Sequence, residues 1–197
     1  MRRAGLLIVL AVSPLAACRG AASPAGGPDL TGLVQPGEIL VMLRRVPATP
    51  APGSPGASAP VPEFLVTVVQ MQNGKMELRI GEQRPQGRAQ VHASRPGDEF
   101  RNLAVEDLNA DGRPEIVSTW TGGQLEVVEV LGRSPAGSWT TLLQNAGQIV
   151  EERRQADRST AFWITSRTYE EEPGHPPVYQ THVYRWDGTA FSAVETP

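Results

Sequence analysis

One short segment of the chain carries oxygen-bearing side chains at alternate positions. Numbered from its first residue, positions 1, 3, 5 and 9 are Asp107, Asn109, Asp111 and Glu115. In a tight loop this spacing turns the first three side chains toward one centre, and Gly112 permits the sharp reversal of the backbone. The carbonyl oxygen of Arg113 would add a backbone ligand, and Glu115 would close the ring. Because Ca²⁺ takes about six to eight oxygen ligands, the spacing predicts a calcium site formed by these residues.

The neighbouring residues exclude an EF-hand. An EF-hand loop needs an acidic residue at position 12, and position 12 here is Ser118. Pro114 lacks a backbone N–H at the point where the second helix of an EF-hand would begin. The flanking residues 103–105 and 116–117 are apolar and predict strands. The loop is therefore expected to join two strands.

The segment resembles the strand–loop–strand calcium motif of FG-GAP and VCBS repeats, the repeats of integrin-like β-propellers. In these families Asp-x-Asp/Asn-x-Asp-Gly-x-x-Asp/Glu is followed by apolar strand residues, and residues 100–117 fit that pattern. The resemblance implies a structural ion held by Asp107, Asn109, Asp111, the Arg113 carbonyl and Glu115. Only one such loop is present, and the 135 residues from Glu63 onward would make two or three blades. A closed propeller needs about four blades or more.

The rest of the chain predicts strands and turns. Turn residues such as Asn73-Gly74 separate apolar, β-branched runs. Predicted strands lie at 38–46, 63–72, 75–80, 101–106, 115–120, 124–131, 138–143, 147–154, 160–168, 178–186 and 190–195. Similar hairpins at 69–76, 128–139 and 183–191 indicate a weak internal repeat of roughly the size of a propeller blade. We therefore predict an all-β fold, a small antiparallel β-domain of two or three propeller-blade-like meanders and not a closed propeller.

A proline-rich insert interrupts the predicted domain at residues 47–62. It holds six prolines in sixteen residues, mixed with Ala, Ser and Gly, and such a composition predicts disorder because it cannot bury apolar surface. Two arrangements remain open. The insert would be a linker ahead of the domain, or a loop that joins paired strands at 38–46 and 63–72. The apolar character of 38–46 favours the loop, and the β-domain is therefore expected to span residues 38–197.

The first residues have the pattern of an export signal. Met1-Arg2-Arg3 is followed by a short apolar run and then by Leu15-Ala16-Ala17-Cys18. The last four residues resemble the lipobox of bacterial lipoproteins, which implies cleavage of a signal peptide at residues 1–17 and a lipid such as palmitate on Cys18. Residues 18–37, rich in small and turn-forming residues, would be a disordered tether. The resemblance implies a membrane-anchored lipoprotein of the cell envelope that faces the periplasm or the exterior.

The composition excludes several classes of function. One cysteine cannot form an intrachain disulfide or a cysteine-rich zinc site. Removing residues 1–17 takes the formal charge from −3 to −5, so the chain lacks the basic surface that nucleic-acid binding needs. The sequence contains no nucleophile elbow and no phosphate-binding glycine loop, so no catalytic residue is predicted.

We expect a binding or scaffold module that is not an enzyme and that is attached to a membrane through its N-terminal lipid. Its further partner would be another envelope protein or a glycan. The alternative is an envelope hydrolase or carbohydrate-active enzyme whose site is not readable from the sequence. Sugar rings stack on aromatic side chains, but the tryptophans lie in predicted strands, which favours core packing for Trp120, Trp139, Trp163 and Trp186.

Overall fold

A computed structural model of the protein describes residues 30–46, 64–82, 90–97, 99–134, 137–168 and 176–194. These residues form twelve β-strands in three four-stranded sheets and no helix. The described part of the chain accordingly holds no helix capable of crossing a membrane. The predicted signal peptide, Cys18, residues 18–29 of the predicted tether and the insert at 47–62 lie outside the described residues.

Each sheet is built from four strands that follow one another along the chain. The first sheet contains β1 (Ile39–Val46), β2 (Phe64–Gln70), β3 (Met76–Glu82) and β4 (Gln90–Gly97). The second contains β5 (Glu99–Glu106), β6 (Glu115–Gly122), β7 (Leu125–Arg133) and β8 (Trp139–Gly147). The third contains β9 (Ile149–Arg154), β10 (Thr160–Arg167), β11 (Tyr179–Trp186) and β12 (Phe191–Val194). All neighbouring strands are antiparallel and follow the chain order, so each sheet is a meander.

These three meanders confirm the predicted fold class. The described residues are all-β, and their sheets do not join into a closed propeller. The predicted hairpins at 128–139 and 183–191 both join the third and fourth strands of their sheets. The hairpin at 69–76 instead joins the second and third strands of the first sheet. The first of the three predicted hairpins is therefore out of step with the other two, and what recurs in the described structure is the four-stranded meander.

The first sheet settles which strands lie on either side of the insert. β1 pairs with β2, with Ile39 opposite Gln70 and Val46 opposite Phe64. Residues 47–63 therefore connect two neighbouring strands of one sheet, which is the arrangement that the apolar character of 38–46 favours.

β4 is a strand that the sequence patterns do not predict. Its residues are mostly polar, and Pro96 has no N–H to donate to a neighbouring strand. β4 lies at the edge of the first sheet and pairs with β3 alone. An edge strand tolerates a proline because one side of its backbone has no strand to bond with.

Two apolar clusters fill the spaces between consecutive sheets. One joins the first sheet to the second and includes Phe64, Leu78 and Ile116. The other joins the second sheet to the third and includes Val117 and Phe162. Successive side chains of a strand point to opposite faces, so the neighbours Ile116 and Val117 of β6 enter different clusters. The second sheet is thus the middle layer of the domain, with apolar contacts on both faces.

Residues 30–38 cover the outer face of the first sheet. Leu33 is fully buried in a small cluster with the equally buried Leu65. Arg79 of β3 donates a hydrogen bond to the carbonyl oxygen of Leu33 at 2.8 Å. Its guanidinium also pairs with Glu38 at 2.6 Å and with Glu77 at 2.7 Å. The folded unit thus includes residues 30–37, which the sequence had placed within the tether.

The Glu38–Arg79 pair makes the stability of the protein sensitive to acid. The hydrogen bond from Arg79 lowers the pKa of Glu38 below its usual value of 4.5. The contribution to stability is therefore present above pH 4.5 and is lost as the pH falls below that value, where the unfolded chain binds the proton more readily. At neutral pH we expect Glu38→Gln to lower the free energy of unfolding by about 2 kcal/mol, because both side chains are largely buried.

Urea unfolding of the wild type and Glu38→Gln at neutral pH and at about pH 3.5 measures this contribution. The difference between the two proteins should shrink on acidification. Glu99→Gln is the control, because the Glu99–Arg101 pair has side chains that are 62% and 54% exposed and should contribute little at either pH. A difference for Glu38→Gln that stays constant between the two pH values contradicts the prediction.

Candidate metal centre

The predicted calcium segment forms the loop between β5 and β6. Glu106, the last residue of β5, pairs with Glu115, the first residue of β6. Asp107 and Glu115 therefore lie at the two ends of the loop, next to this last pair of the two strands. Ala110 and Gly112 have φ angles of 61° and 82°, and these left-handed residues turn the loop back on itself. A side chain at Gly112 would meet no atom within 4 Å, so glycine suits this position because of its backbone conformation and not because of space.

Backbone N–H groups hold the side chains of the loop in place. The N–H of Gly112 donates to Asp107 Oδ2 at 3.0 Å, and the N–H of Asp111 donates to Asn109 Oδ1 at 3.0 Å. The N–H of Arg113 donates to Asp111 Oδ1 at 2.8 Å. The three side chains are thus turned toward the backbone of their own loop. A carboxylate or amide oxygen carries two lone pairs, so an oxygen that accepts one of these N–H groups can still bind a cation.

Glu115 is the buried member of the acidic cluster. It is only 3% exposed, and its Oε2 accepts a hydrogen bond from the N–H of Leu108 at 2.8 Å. Burial is the main cause that raises the pKa of Glu115 to about 7, and the charges of Asp111 and Asp107 raise it as well. The three carboxylates are therefore close enough to repel one another. A cation among them would offset both the repulsion and the cost of burying Glu115.

One carboxylate oxygen of the loop has no partner. Asp107 Oδ1 is buried and makes no hydrogen bond. Buried polar atoms are nearly always paired, because an unpaired one costs about 1–3 kcal/mol. Asp107 stands at the first predicted ligand position, and a cation would supply the partner that its Oδ1 lacks. The donors of the loop are all oxygen atoms, as a hard cation such as Ca²⁺ requires, so these residues fit the ion.

The five predicted ligand residues lie in or next to one loop, and they would offer three kinds of oxygen: carboxylate, side-chain amide and main-chain carbonyl. Within the described part of the chain, no three His, Cys, Asp or Glu side chains converge closely enough to hold a metal by themselves. The carboxylates would therefore depend on the amide oxygen of Asn109 and on the main-chain carbonyl of Arg113. Cys18, the predicted lipid attachment point, lies outside the described residues.

The loop is attached to the third sheet by contacts that the sequence does not reveal. Nη1 of Arg154 in β9 donates to the carbonyl oxygen of Asp107 at 2.8 Å. The N–H of Thr160 in β10 donates to the carbonyl oxygen of Leu108 at 2.6 Å. The side chain of Leu108 is fully buried in the same apolar cluster as Phe162. A large apolar residue at the second position of a loop rich in polar side chains is the sequence signal that could have indicated this attachment.

The tryptophans pack within and between the sheets. Trp120 is buried in the first cluster, and Trp139 packs against it. Trp186 packs against the second cluster. Trp163 lies beneath the guanidinium of Arg153, whose Cζ is 4.1 Å from the ring centroid. Trp120, Trp139 and Trp186 thus pack in the core, as their strand positions favour. For Trp163 the expectation is wrong: its neighbours Phe162 and Ile164 face the second sheet, so Trp163 lies on the opposite face of β10 and in neither cluster.

No protein-family model, curated protein or solved structure matches this chain.

Proposed function

We propose that this protein is an exported, lipid-anchored protein of the cell envelope whose loop at 107–115 binds Ca²⁺. Its β-domain acts as a binding or scaffold module and not as an enzyme. The observation that carries the proposal is the buried, unpartnered Asp107 Oδ1 within a loop of all-oxygen donors. The lipobox resemblance around Cys18 supports the anchor.

The ion has a structural role in this proposal. Bound Ca²⁺ supplies positive charge to the carboxylates of Asp107, Asp111 and Glu115 and fixes the path of the loop. Because the carbonyl oxygens of Asp107 and Leu108 accept hydrogen bonds from the third sheet, a fixed loop also fixes the packing of the third sheet on the second. Calcium would in this way stabilise the arrangement of the sheets that presents a partner-binding surface.

Isothermal titration of the mature chain with Ca²⁺ tests the ion site. We expect one ion per chain and a weakening of at least about tenfold in Asp111→Ala, since the substitution removes a charged ligand. Asp157→Ala is the matched control. Asp157 also caps a turn, with its Oδ1 accepting the N–H of Ser159 at 2.9 Å, but it lies in the turn between β9 and β10. The absence of calcium binding in the wild type, or equal binding by Asp111→Ala, contradicts the site.

Membrane fractionation tests the anchor separately. The wild-type chain, expressed in a bacterium that processes lipoproteins, should be recovered with the membranes and carry an acylated N-terminus by mass spectrometry. Cys18→Ala should be found in the soluble fraction, because it cannot carry the lipid whose acyl chains would hold the chain on the membrane. Recovery of Cys18→Ala with the membranes in the same proportion as the wild type contradicts the anchor.

A further inference from the structure

Three consecutive apolar side chains are exposed at the start of β1. Ile39, Leu40 and Val41 are 58%, 38% and 41% exposed. Single exposed apolar side chains are common on proteins, but a contiguous group marks a surface that contacts another molecule or a membrane. Within the described part of the chain, this is the longest run of exposed large apolar side chains. The start of β1 is therefore the first candidate for such a contact surface.

The backbone of β1 is poorly suited to pairing with a strand of another molecule. Among the described strands, β1 lies at the edge of its sheet and pairs with β2 alone. Val41 has no opposite residue on β2, because the register shifts between Leu40 and Met42. The exposed side chains of Arg44 and Arg45 follow in the same strand. Bulges and charged side chains are two devices that keep edge strands from pairing with further strands, so the apolar run is not explained by strand addition.

The chain enters the folded unit beside β1. Leu30, the first described residue, and Leu43 of β1 pack against the same small cluster on the outer face of the first sheet. Only residues 19–29 separate Leu30 from Cys18, the proposed lipid attachment point. A fully extended chain rises at most about 3.6 Å per residue, so Leu30 lies within about 43 Å of the lipid. β1 thus belongs to the part of the domain that the anchor holds near the membrane.

The side chains of β1 match the chemistry of a bilayer surface. Apolar side chains gain by entering the boundary between headgroups and acyl chains, and a planar guanidinium donates in pairs to phosphate oxygens. Nη1 of Arg44 donates to the carbonyl oxygen of the adjacent Leu43 at 3.3 Å. A guanidinium has five N–H groups, so this bond leaves donors for a phosphate. Because the chain as a whole has a formal charge of −3, the two arginines make this end the better match for an anionic surface.

We infer that residues 39–45 form a membrane-docking edge, which contacts the phospholipid surface beside the N-terminal lipid. The inference rests on the proposed anchor, since the anchor holds this edge at a high effective concentration near the bilayer. The headgroup region contains water, so the unpaired backbone groups on the outer side of β1 stay hydrated there. The contact fixes the orientation of the β-domain relative to the membrane.

Vesicle cosedimentation of the mature chain without its lipid tests the docking edge. The chain comprises residues 18–197 with Cys18→Ala, so that no acyl chain contributes, and chelator prevents Ca²⁺ from bridging protein and lipid. We expect sedimentation with vesicles of phosphatidylethanolamine and phosphatidylglycerol, and weaker sedimentation with neutral phosphatidylcholine vesicles. Ile39→Ser should weaken binding about tenfold, because it removes apolar surface. Arg44→Gln should weaken binding to the anionic vesicles about fivefold, because it removes one positive charge.

Ile149→Ser is the matched control. Ile149 is 53% exposed at the start of β9, an edge strand of the third sheet, so the same chemical change there should leave vesicle binding unchanged. Circular dichroism establishes that each variant keeps its strands. The inference is overturned by a parent chain that sediments with neither kind of vesicle. Equal binding by Ile39→Ser, Arg44→Gln and the parent chain, or an equal loss in Ile149→Ser, also overturns it.

Analytical ultracentrifugation without vesicles distinguishes a lipid surface from a second copy of the chain. We expect a monomer, and a dimer that dissociates in Ile39→Ser would assign this edge to self-association and overturn the membrane contact. Membrane fractionation separates the docking edge from the anchor. Vesicle binding by a chain that is never acylated on Cys18 in the bacterium contradicts only the anchor. An acylated chain whose unacylated form does not bind vesicles contradicts only the docking edge.

Discussion

Saturating Ca²⁺ will raise the midpoint of thermal unfolding by about 5–10 °C. At a free concentration about 100 times the dissociation constant, a ligand that binds only the folded state adds about 2.7 kcal/mol to the free energy of unfolding. In a folded region of this size each kcal/mol moves the midpoint by about 2–4 °C. Without the ion, Asp107 Oδ1 has no hydrogen-bond partner, and the carboxylates of Asp111 and Glu115 repel each other. Calorimetry of the mature chain in Ca²⁺ and in chelator measures the shift.

The same comparison in variants identifies the loop as the origin of the shift. Asp111→Ala should show at most about half of the wild-type shift between chelator and the same Ca²⁺ concentration, because a site weakened tenfold adds only about 1.4 kcal/mol there, whereas Asp157→Ala should keep the full shift. Hydrogen exchange adds a spatial readout, because the amide of Thr160 donates to the carbonyl oxygen of Leu108 within the loop. That amide should exchange more slowly when Ca²⁺ is bound. An unchanged midpoint for the wild type in chelator contradicts the prediction.

Leu108→Ala will lower the free energy of unfolding by about 3 kcal/mol. The side chain of Leu108 is fully buried between the second and third sheets, so its truncation removes apolar contacts and leaves a cavity. Phe162 and Phe191 lie in the same cluster, with their rings edge-to-face at 5.2 Å, and cannot easily move to fill the space. Urea unfolding in chelator measures the loss without a contribution from the ion.

Leu125→Ala is the control for this substitution. Leu125 begins β7 and is partly exposed, so the same chemical change should cost less than about 1 kcal/mol there. Equal losses for the two variants would show that Leu108 is not an anchor between the sheets. A second expectation follows from its place in the loop. Leu108→Ala should keep its calcium ligands but bind the ion more weakly, because the loop is no longer held against the third sheet.

The parts of this structure that are local in the chain are the parts that its sequence predicts. The segment 64–69 is a run of apolar and β-branched residues ahead of Asn73-Gly74, and it forms β2 followed by a tight turn. The loop at 107–115 is equally local, because its predicted ligand residues are at most eight residues apart. Their alternate spacing predicts that the side chains turn toward one centre. That Asp107 and Asp111 also accept hydrogen bonds from N–H groups of their own loop is a feature the spacing does not predict.

The parts that depend on distant contacts are not readable in the same way. Arg154 reaches the backbone of Asp107 across 47 residues, and Arg79 reaches Glu38 across 41. No local pattern indicates either pairing. β4 fails for another reason, since Pro96 is acceptable only because the strand lies at a sheet edge, and edge position is a property of the assembled fold.

The order of the strands also has a consequence for how the protein folds. Every pairing between the strands that the structure describes joins consecutive strands, so the contacts that define a sheet are close in sequence, which favours rapid folding. The insert between β1 and β2 slows this little, because the entropy of closing a loop grows by only about 0.6 kcal/mol for each doubling of its length. Each sheet can therefore form independently, because its four strands come from one stretch of the chain. Until the third sheet has formed, the face of the second sheet that carries Val117 is exposed to water. Exposed apolar surface promotes aggregation, so the chain is most prone to aggregate during this interval.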